Sequence, residues 1–114
     1  MNTMRYELNG AQVLVLDKEV DAVTVNEIRN LLDELSVFEG DVVADLSEVY
    51  FIDSSGIGAL VFLYKRLIMN GHRLTLICGP GQPKDLLEML HICKVIPCFE
   101  SQKAYLQQST RVAS

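Results

Sequence analysis

The sequence has no long hydrophobic run. Its apolar stretches are far shorter than the ~20 residues that a membrane-spanning helix requires, and the N-terminus, MNTMRYELNG, has no apolar signal core. We therefore expect a cytoplasmic protein that is not inserted directly into a membrane.

Basic residues are also few. The chain has 10 Lys and Arg residues against 15 Asp and Glu residues, and its formal net charge is -5. Proteins that bind nucleic acids neutralise the phosphates with a basic patch or stripe, which this composition does not provide. Direct binding to nucleic acid is therefore not expected.

The common motifs of metal sites, nucleotide sites and nucleophilic enzymes are missing. The sequence has no CxxC pair, GxSxG elbow or GxxxxGK(S/T) loop, and we interpret the isolated His72 and His91 as structural or surface residues. Three cysteines are interpreted as buried thiols that pack like small apolar residues: Cys78, Cys93 and Cys98. We predict no enzyme activity, no resident metal and no bound cofactor.

The 114 residues do contain alternating strand-like and helix-like segments. Hydrophobic residues make up 49% of the chain and charged residues 22%, which is typical of one globular domain. Strands are predicted at 6–8, 13–16, 42–44, 74–78 and 95–96, and helices after Thr24, after the DSSG stretch, at 85–90 and after Ser101. The alternation predicts an α/β fold, a single domain with a mixed central β-sheet flanked by about four helices.

Local signals indicate where some of these elements begin and end. Asn9-Gly10 is typical of a tight turn between the first two strands. Thr24 and Glu27 fit a capping box at the start of the first helix, and Gly71 follows the end of the second.

The stretch FIDSSGIGALVF, residues 51–62, places an acid, two hydroxyls and two glycines at a predicted strand-to-helix junction. One Asp or Ser is enough to cap a helix, and glycine costs about 0.5–1 kcal/mol relative to alanine inside one. The residues could therefore be caps with glycines that allow close packing, or they could include a hydroxyl regulated by phosphorylation. A nucleophilic serine is not supported by any partner motif, and the first two interpretations remain open.

The stretch DLSEVYFIDSSGIGALV resembles the STAS domain of anti-sigma factor antagonists. The most specific part is the run from Asp53 to Gly58, with Asp45-Leu46-Ser47 before it at the usual separation. Glu19-Val20-Asp21 and Thr24 are similar to a further family segment, and the resemblance covers most of the chain. It implies a STAS domain over residues 1–108, followed by a polar C-terminal tail at 109–114.

The resemblance also implies a function. Such proteins bind an ATP-binding switch kinase that sequesters a sigma factor, and phosphorylation releases them until a PP2C-type phosphatase restores the complex. The phosphorylated residue would be Ser54 rather than Ser55, which we interpret as a capping or packing residue. The implied partner-binding residues are Asp21, Thr24, Asp53, Ser54, Ser55, Gly56, Ile57 and Gly58. We expect the two glycines to keep the surface clear for the kinase, and ATP to belong to the kinase.

Two departures from the family pattern concern glycines. Lys18 stands where the family has glycine before Glu19, and Leu90-His91 stands where a Ser or Thr followed by Gly is common. We expect the first to alter the turn into the first helix and the second to alter partner preference.

STAS domains also occur in transporters. The alternative function is therefore a non-phosphorylated subunit of a membrane complex that transports lipids or anions.

Overall fold

The computed structural model describes residues 4–113, with side chains described as far as residue 108. In chain order the elements are β1 (Met4–Leu8), β2 (Ala11–Val20), α1 (Ala22–Glu27), α2 (Arg29–Ser36), β3 (Val42–Ile52), α3 (Ser54–Met69), β4 (Leu74–Ile77), α4 (Gln82–Met89), a 3₁₀ turn (Ile92–Lys94), β5 (Cys98–Phe99) and α5 (Gln102–Ala113). The final helix therefore continues into the predicted tail at 109–114, of which Ser114 lies outside the described residues.

The five strands form one mixed sheet in the order β1-β2-β3-β4-β5. Strand β1 runs antiparallel to β2, and the other neighbours are parallel. The main core lies between one face of the sheet and helices α1 to α4, whereas Tyr105 of α5 packs on the opposite face. This arrangement confirms the predicted mixed sheet with flanking helices.

The predicted hairpin between β1 and β2 is confirmed. Asn9 and Gly10 both have positive φ angles, 53° and 85°, which match the right-handed twist of the two strands that they join. Leu8 consequently pairs with Ala11, directly across the turn.

The first helix begins earlier than the capping box predicts. Asp21 is its N-cap, because the Asp21 carboxylate accepts a hydrogen bond from the backbone N–H of Thr24 at 3.0 Å. The Thr24 hydroxyl donates instead to the carbonyl oxygen of Glu19, at 2.9 Å. The capping-box prediction is therefore wrong. Thr24 lies within the helix, and its hydroxyl ties α1 to the end of β2.

The predicted strand at 95–96 is also wrong. The backbone N–H of Ile96 donates to the carbonyl oxygen of Ile92 at 2.8 Å, which closes a turn and directs the buried Ile96 side chain into the core. The strand forms two residues later, where Cys98 and Phe99 pair with β4. Apolar character at 95–96 thus reflects burial of one side chain rather than pairing in the sheet.

Two of the three cysteines depart from the prediction of free thiols. Cys93 and Cys98 are joined by a disulfide, because the 3₁₀ turn brings their Cα atoms to 5.5 Å, within the range that a disulfide spans. Cys78 is a free, buried cysteine as predicted, and burial raises the pKa of its thiol. Within residues 4–113, no helix is long and apolar enough to cross a membrane.

Candidate functional site

The candidate site lies where β3 ends and α3 begins. Asp53 is the N-cap of α3, with an extended backbone. Its Oδ1 atom accepts hydrogen bonds from the backbone N–H groups of Ser55 at 2.9 Å and Gly56 at 3.1 Å. One carboxylate thus satisfies two of the amides that a helix leaves unpaired at its start. Capping of α3 therefore does not require either serine hydroxyl.

The two serines differ in exposure. Ser54, the first residue of α3, is exposed, whereas Ser55 is half-buried. Among residues 4–113, neither hydroxyl takes part in a hydrogen bond. Ser54 is therefore the more accessible hydroxyl. The interpretation of Ser55 as a cap is not supported, since only its backbone N–H takes part in the capping arrangement.

The two glycines of α3 have different roles. Gly56 is buried, and a Cβ atom there would lie 2.5 Å from the Val20 carbonyl oxygen and 2.5 Å from Cγ1 of Ile52. Gly58 is exposed, and a Cβ atom there would meet nothing within 4 Å. Close packing of α3 on the sheet explains Gly56, which corrects the expectation that it clears the surface for a partner. Only Gly58 leaves an open surface.

The predicted partner-binding residues therefore lie at two levels. Ile57 is 7% exposed and packs in the main core, beneath the surface together with Gly56. The exposed or half-buried members are Asp21, Asp53, Ser54, Ser55 and Gly58, while Thr24 is 8% exposed. The buried members support the shape of the site from within, and the exposed and half-buried members form its surface.

The site has two halves, one around Asp21 at the start of α1 and one around Asp53 at the start of α3. Parallel pairing of β2 with β3 brings these two halves together. Val20 pairs with Ile52, and each residue is followed by an aspartate that caps the next helix. The backbone N–H of Asp53 also donates to the Val20 carbonyl oxygen at 3.3 Å. The hydrogen bond from the Thr24 amide lowers the pKa of Asp21, so its carboxylate stays ionised at neutral pH.

A groove of about 390 Å³ borders the Asp21 half of the site. The residues that line it are Asp17, Lys18, Glu19, Asp21, Val23, Thr24, Glu27 and Tyr50. Four of these are carboxylates and one is a lysine, so the groove is acidic. The Tyr50 hydroxyl donates to Glu19 at 3.4 Å, and the charge of Glu19 raises the pKa of Tyr50. No signal in the sequence indicates that Asp17 and Tyr50 belong to this groove. They lie far apart in the chain and line the same groove only because β2 pairs with β3.

Lys18 enters this groove from an unusual backbone conformation. Its φ angle is +57°, in the left-handed region, and the pairing of β2 with β3 shifts register between Lys18 and Glu19. The family pattern has glycine at this position, which adopts that conformation without strain. Lys18, in place of glycine, is expected to alter the turn into the first helix. The structure shows a strained bulge at this position. His91, at the other glycine position, has a φ angle of +59°.

Replacing Lys18 with glycine should stabilise the domain. We expect Lys18→Gly to raise the free energy of unfolding by about 0.5–1 kcal/mol, since relief of left-handed strain outweighs the greater flexibility of the unfolded glycine chain. Urea unfolding of Lys18→Gly and Lys18→Ala would measure this. Both variants lose the charge, but alanine keeps the Cβ atom and should give no gain. An equal gain in both variants would assign the effect to charge instead.

A residue outside the motif also contacts the site. The side-chain amide of Gln82, the first residue of α4, makes two hydrogen bonds with the backbone of Ile52, each 2.9 Å long. The sequence offers no signal for this contact, because Gln82 lies 30 residues away between Gly81 and Pro83.

Comparison with known proteins identifies similar chains. The STAS domain family matches residues 2–104. The anti-sigma F factor antagonist of Paenibacillus polymyxa is 27% identical over 96 residues, which are 82% of this chain and 81% of that protein.

Solved structures share the fold at lower identity. The phosphorylated form of the Bacillus cell fate determinant SpoIIAA is 14% identical, with a TM-score of 0.72 over 95% of this chain and 99% of that chain. A sulfate transporter family protein from Wolinella succinogenes is 15% identical, with a TM-score of 0.75 over 93% and 89% of the two chains.

Proposed function

Because the chain belongs to the STAS domain family, we propose that it is an anti-sigma factor antagonist whose partner is switched by phosphorylation. In this proposal the unphosphorylated chain binds an anti-sigma factor that is also a serine kinase. Phosphorylation of Ser54 releases the kinase, and a PP2C-type phosphatase restores binding. The chain acts in the cytoplasm, and the nucleotide is bound by the kinase.

The observation that carries this proposal is the exposure of the Ser54 hydroxyl beside a cap that does not need it. Asp53 bonds the amides of Ser55 and Gly56, so a kinase can modify Ser54 without removing a hydrogen bond that starts the helix. The similarity to the anti-sigma F factor antagonist of Paenibacillus polymyxa supports the same role. A protein of the same fold in a phosphorylated form supports the modification.

The surroundings of Ser54 indicate how a phosphate would act. A phosphoserine carries about -1.5 to -2 charges at pH 7, and here it would stand next to Asp53 and near an acidic groove. The positive end of the α3 dipole offsets part of this charge within the domain, so the domain itself stays folded. A partner that packs directly against Ser54 loses affinity instead, because the added charge must be desolvated at the interface, where it also lies beside the like charge of Asp53.

Mass spectrometry of the intact protein and its peptides tests the proposal. The wild type, Ser54→Ala and Ser55→Ala are each incubated with ATP and a lysate of the source cell, and a known substrate confirms that serine kinases in the lysate are active. We expect one phosphate on the wild type and on Ser55→Ala, and none on Ser54→Ala. Phosphate that persists in Ser54→Ala would assign the modification to another residue.

Absence of phosphate in all three proteins would favour the alternative, a non-phosphorylated subunit of a transport complex. The fold similarity to a sulfate transporter family protein makes this the natural second candidate. Co-purification with a permease, in place of a kinase, would then be the expected finding.

A further inference from the structure

Strand β3 is longer than its neighbour β4. The two strands pair only from Val42 to Asp45 on β3, yet β3 continues to Ile52. On the other side, β2 stays paired with β3 as far as Ile52. The end of β3, from which the candidate site projects, therefore has a neighbouring strand on one side only.

Gln82 occupies the position that a strand would take beside Ile52. Its Oε1 atom accepts a hydrogen bond from the Ile52 N–H, and its Nε2 atom donates to the Ile52 carbonyl oxygen. A side-chain amide has the same donor and acceptor as a peptide group, so it can replace one residue of a missing strand. The polar backbone groups of Ile52, a residue that is 1% exposed, are thereby satisfied.

Ile52 lies directly beneath the site. It precedes Asp53, the N-cap of α3, and its side chain lies directly against Gly56. The Asp53 carboxylate then holds the amides of Ser55 and Gly56. The backbone direction at Ile52 therefore sets where the Asp53 carboxylate and the Ser54 hydroxyl project.

We propose that Gln82 is a positioning residue for Ser54: its side-chain amide completes the end of β3 and holds the backbone from which the Asp53 cap and the Ser54 hydroxyl project. The functional consequence rests on the proposed phosphorylation of Ser54. The effect of Gln82 on the position of the backbone at Ile52 and Asp53 is independent of that phosphorylation.

The location of Gln82 suits this role. It begins α4, and Pro83, which follows it, is buried and has a restricted φ angle. The side chain thus reaches Ile52 from a helix that is packed on the core through Leu87. A displacement of α4 would be transmitted to Ser54 through these two hydrogen bonds.

Amide NMR of the isolated chain tests the geometric part. In Gln82→Ala we expect hydrogen exchange of the Ile52 amide to accelerate about 10-fold or more, the size expected when a single protecting contact is lost. The Ser55 and Gly56 amide signals should shift with it. Gln102→Ala is the matched control, because Gln102 donates to the Tyr6 hydroxyl on the opposite face of the sheet. It should leave all three signals unchanged.

Gln82→Glu adds a test by partial rescue. A carboxylate at this position accepts from the Ile52 N–H but repels the Ile52 carbonyl oxygen, whereas a protonated carboxyl can make both bonds. The second bond therefore forms only below the pKa of the introduced carboxyl. We expect the Ser55 and Gly56 signals to return toward their wild-type positions as pH falls through that pKa. Shifts in Gln82→Ala no larger than those in Gln102→Ala would overturn the inference.

The phosphorylation assay separates this inference from the proposed function. If the wild type is modified at Ser54, we expect the kinase in the same lysate to phosphorylate Gln82→Ala about 10-fold or more slowly, since misplacement of a reacting group slows transfer. Equal rates in the two proteins would overturn the positioning role while the proposed function stands. NMR shifts without phosphorylation of the wild type would support the positioning role and contradict the proposed function.

Discussion

Gly56→Ala should destabilise the domain by about 2–3 kcal/mol, whereas Gly58→Ala should stabilise it by about 0.5–1 kcal/mol. The alanine Cβ at position 56 would lie 2.5 Å from the Val20 carbonyl oxygen, closer than real contacts of this kind. That oxygen already accepts a hydrogen bond from Asp53, so the backbone cannot retreat without loosening the site. At position 58 the same methyl group meets nothing within 4 Å.

The two variants are matched controls for each other. Each adds one methyl group to the same helix, two residues apart, so any difference reports the surroundings rather than helix propensity. Thermal unfolding is the measurement, and Gly56→Ala should lower the midpoint by roughly 10 °C. Equal effects of the two substitutions would contradict the close packing of α3 against Val20 and Ile52.

Ser54→Asp should weaken binding to the switch kinase by about 10- to 100-fold, because it places a second carboxylate next to Asp53 at the proposed interface. Ser54→Ala should bind like the wild type and resist phosphorylation. The measurement is the dissociation constant of each variant with the kinase, obtained by calorimetry once the kinase has been identified from the phosphorylation assay.

Ser101→Asp is the control for this charge. Ser101 caps α5, where its hydroxyl accepts a hydrogen bond from the Ala104 amide at 3.1 Å, and aspartate is an equally good N-cap. The substitution adds the same charge at a helix start away from Ser54, so affinity should be unchanged. Undiminished binding by Ser54→Asp would argue that Ser54 lies outside the interface. Equal loss in both variants would indicate a general effect of net charge.

Short-range signals in the sequence predicted some elements well. Asn9-Gly10 identified the hairpin, and DSSG identified the start of a helix, because the residues concerned are adjacent in the chain and act through local backbone preferences. The same reasoning placed the first helix too late. Asp21 and Thr24 are both suitable caps, and their spacing alone does not show which one the incoming strand places in position.

The sequence by itself determined the family, the alternation of strands and helices, and the presence of an acid, two hydroxyls and two glycines at one helix start. Only the tertiary structure decided which of these residues does what. Asp53 caps, Ser54 is exposed and Gly56 is buried because the packing of α3 on β2 and β3 sets the rotation of the helix. The contact from Gln82 likewise exists only because the sheet ends unevenly. That property depends on the lengths of strands distant in sequence, so no local pattern reports it.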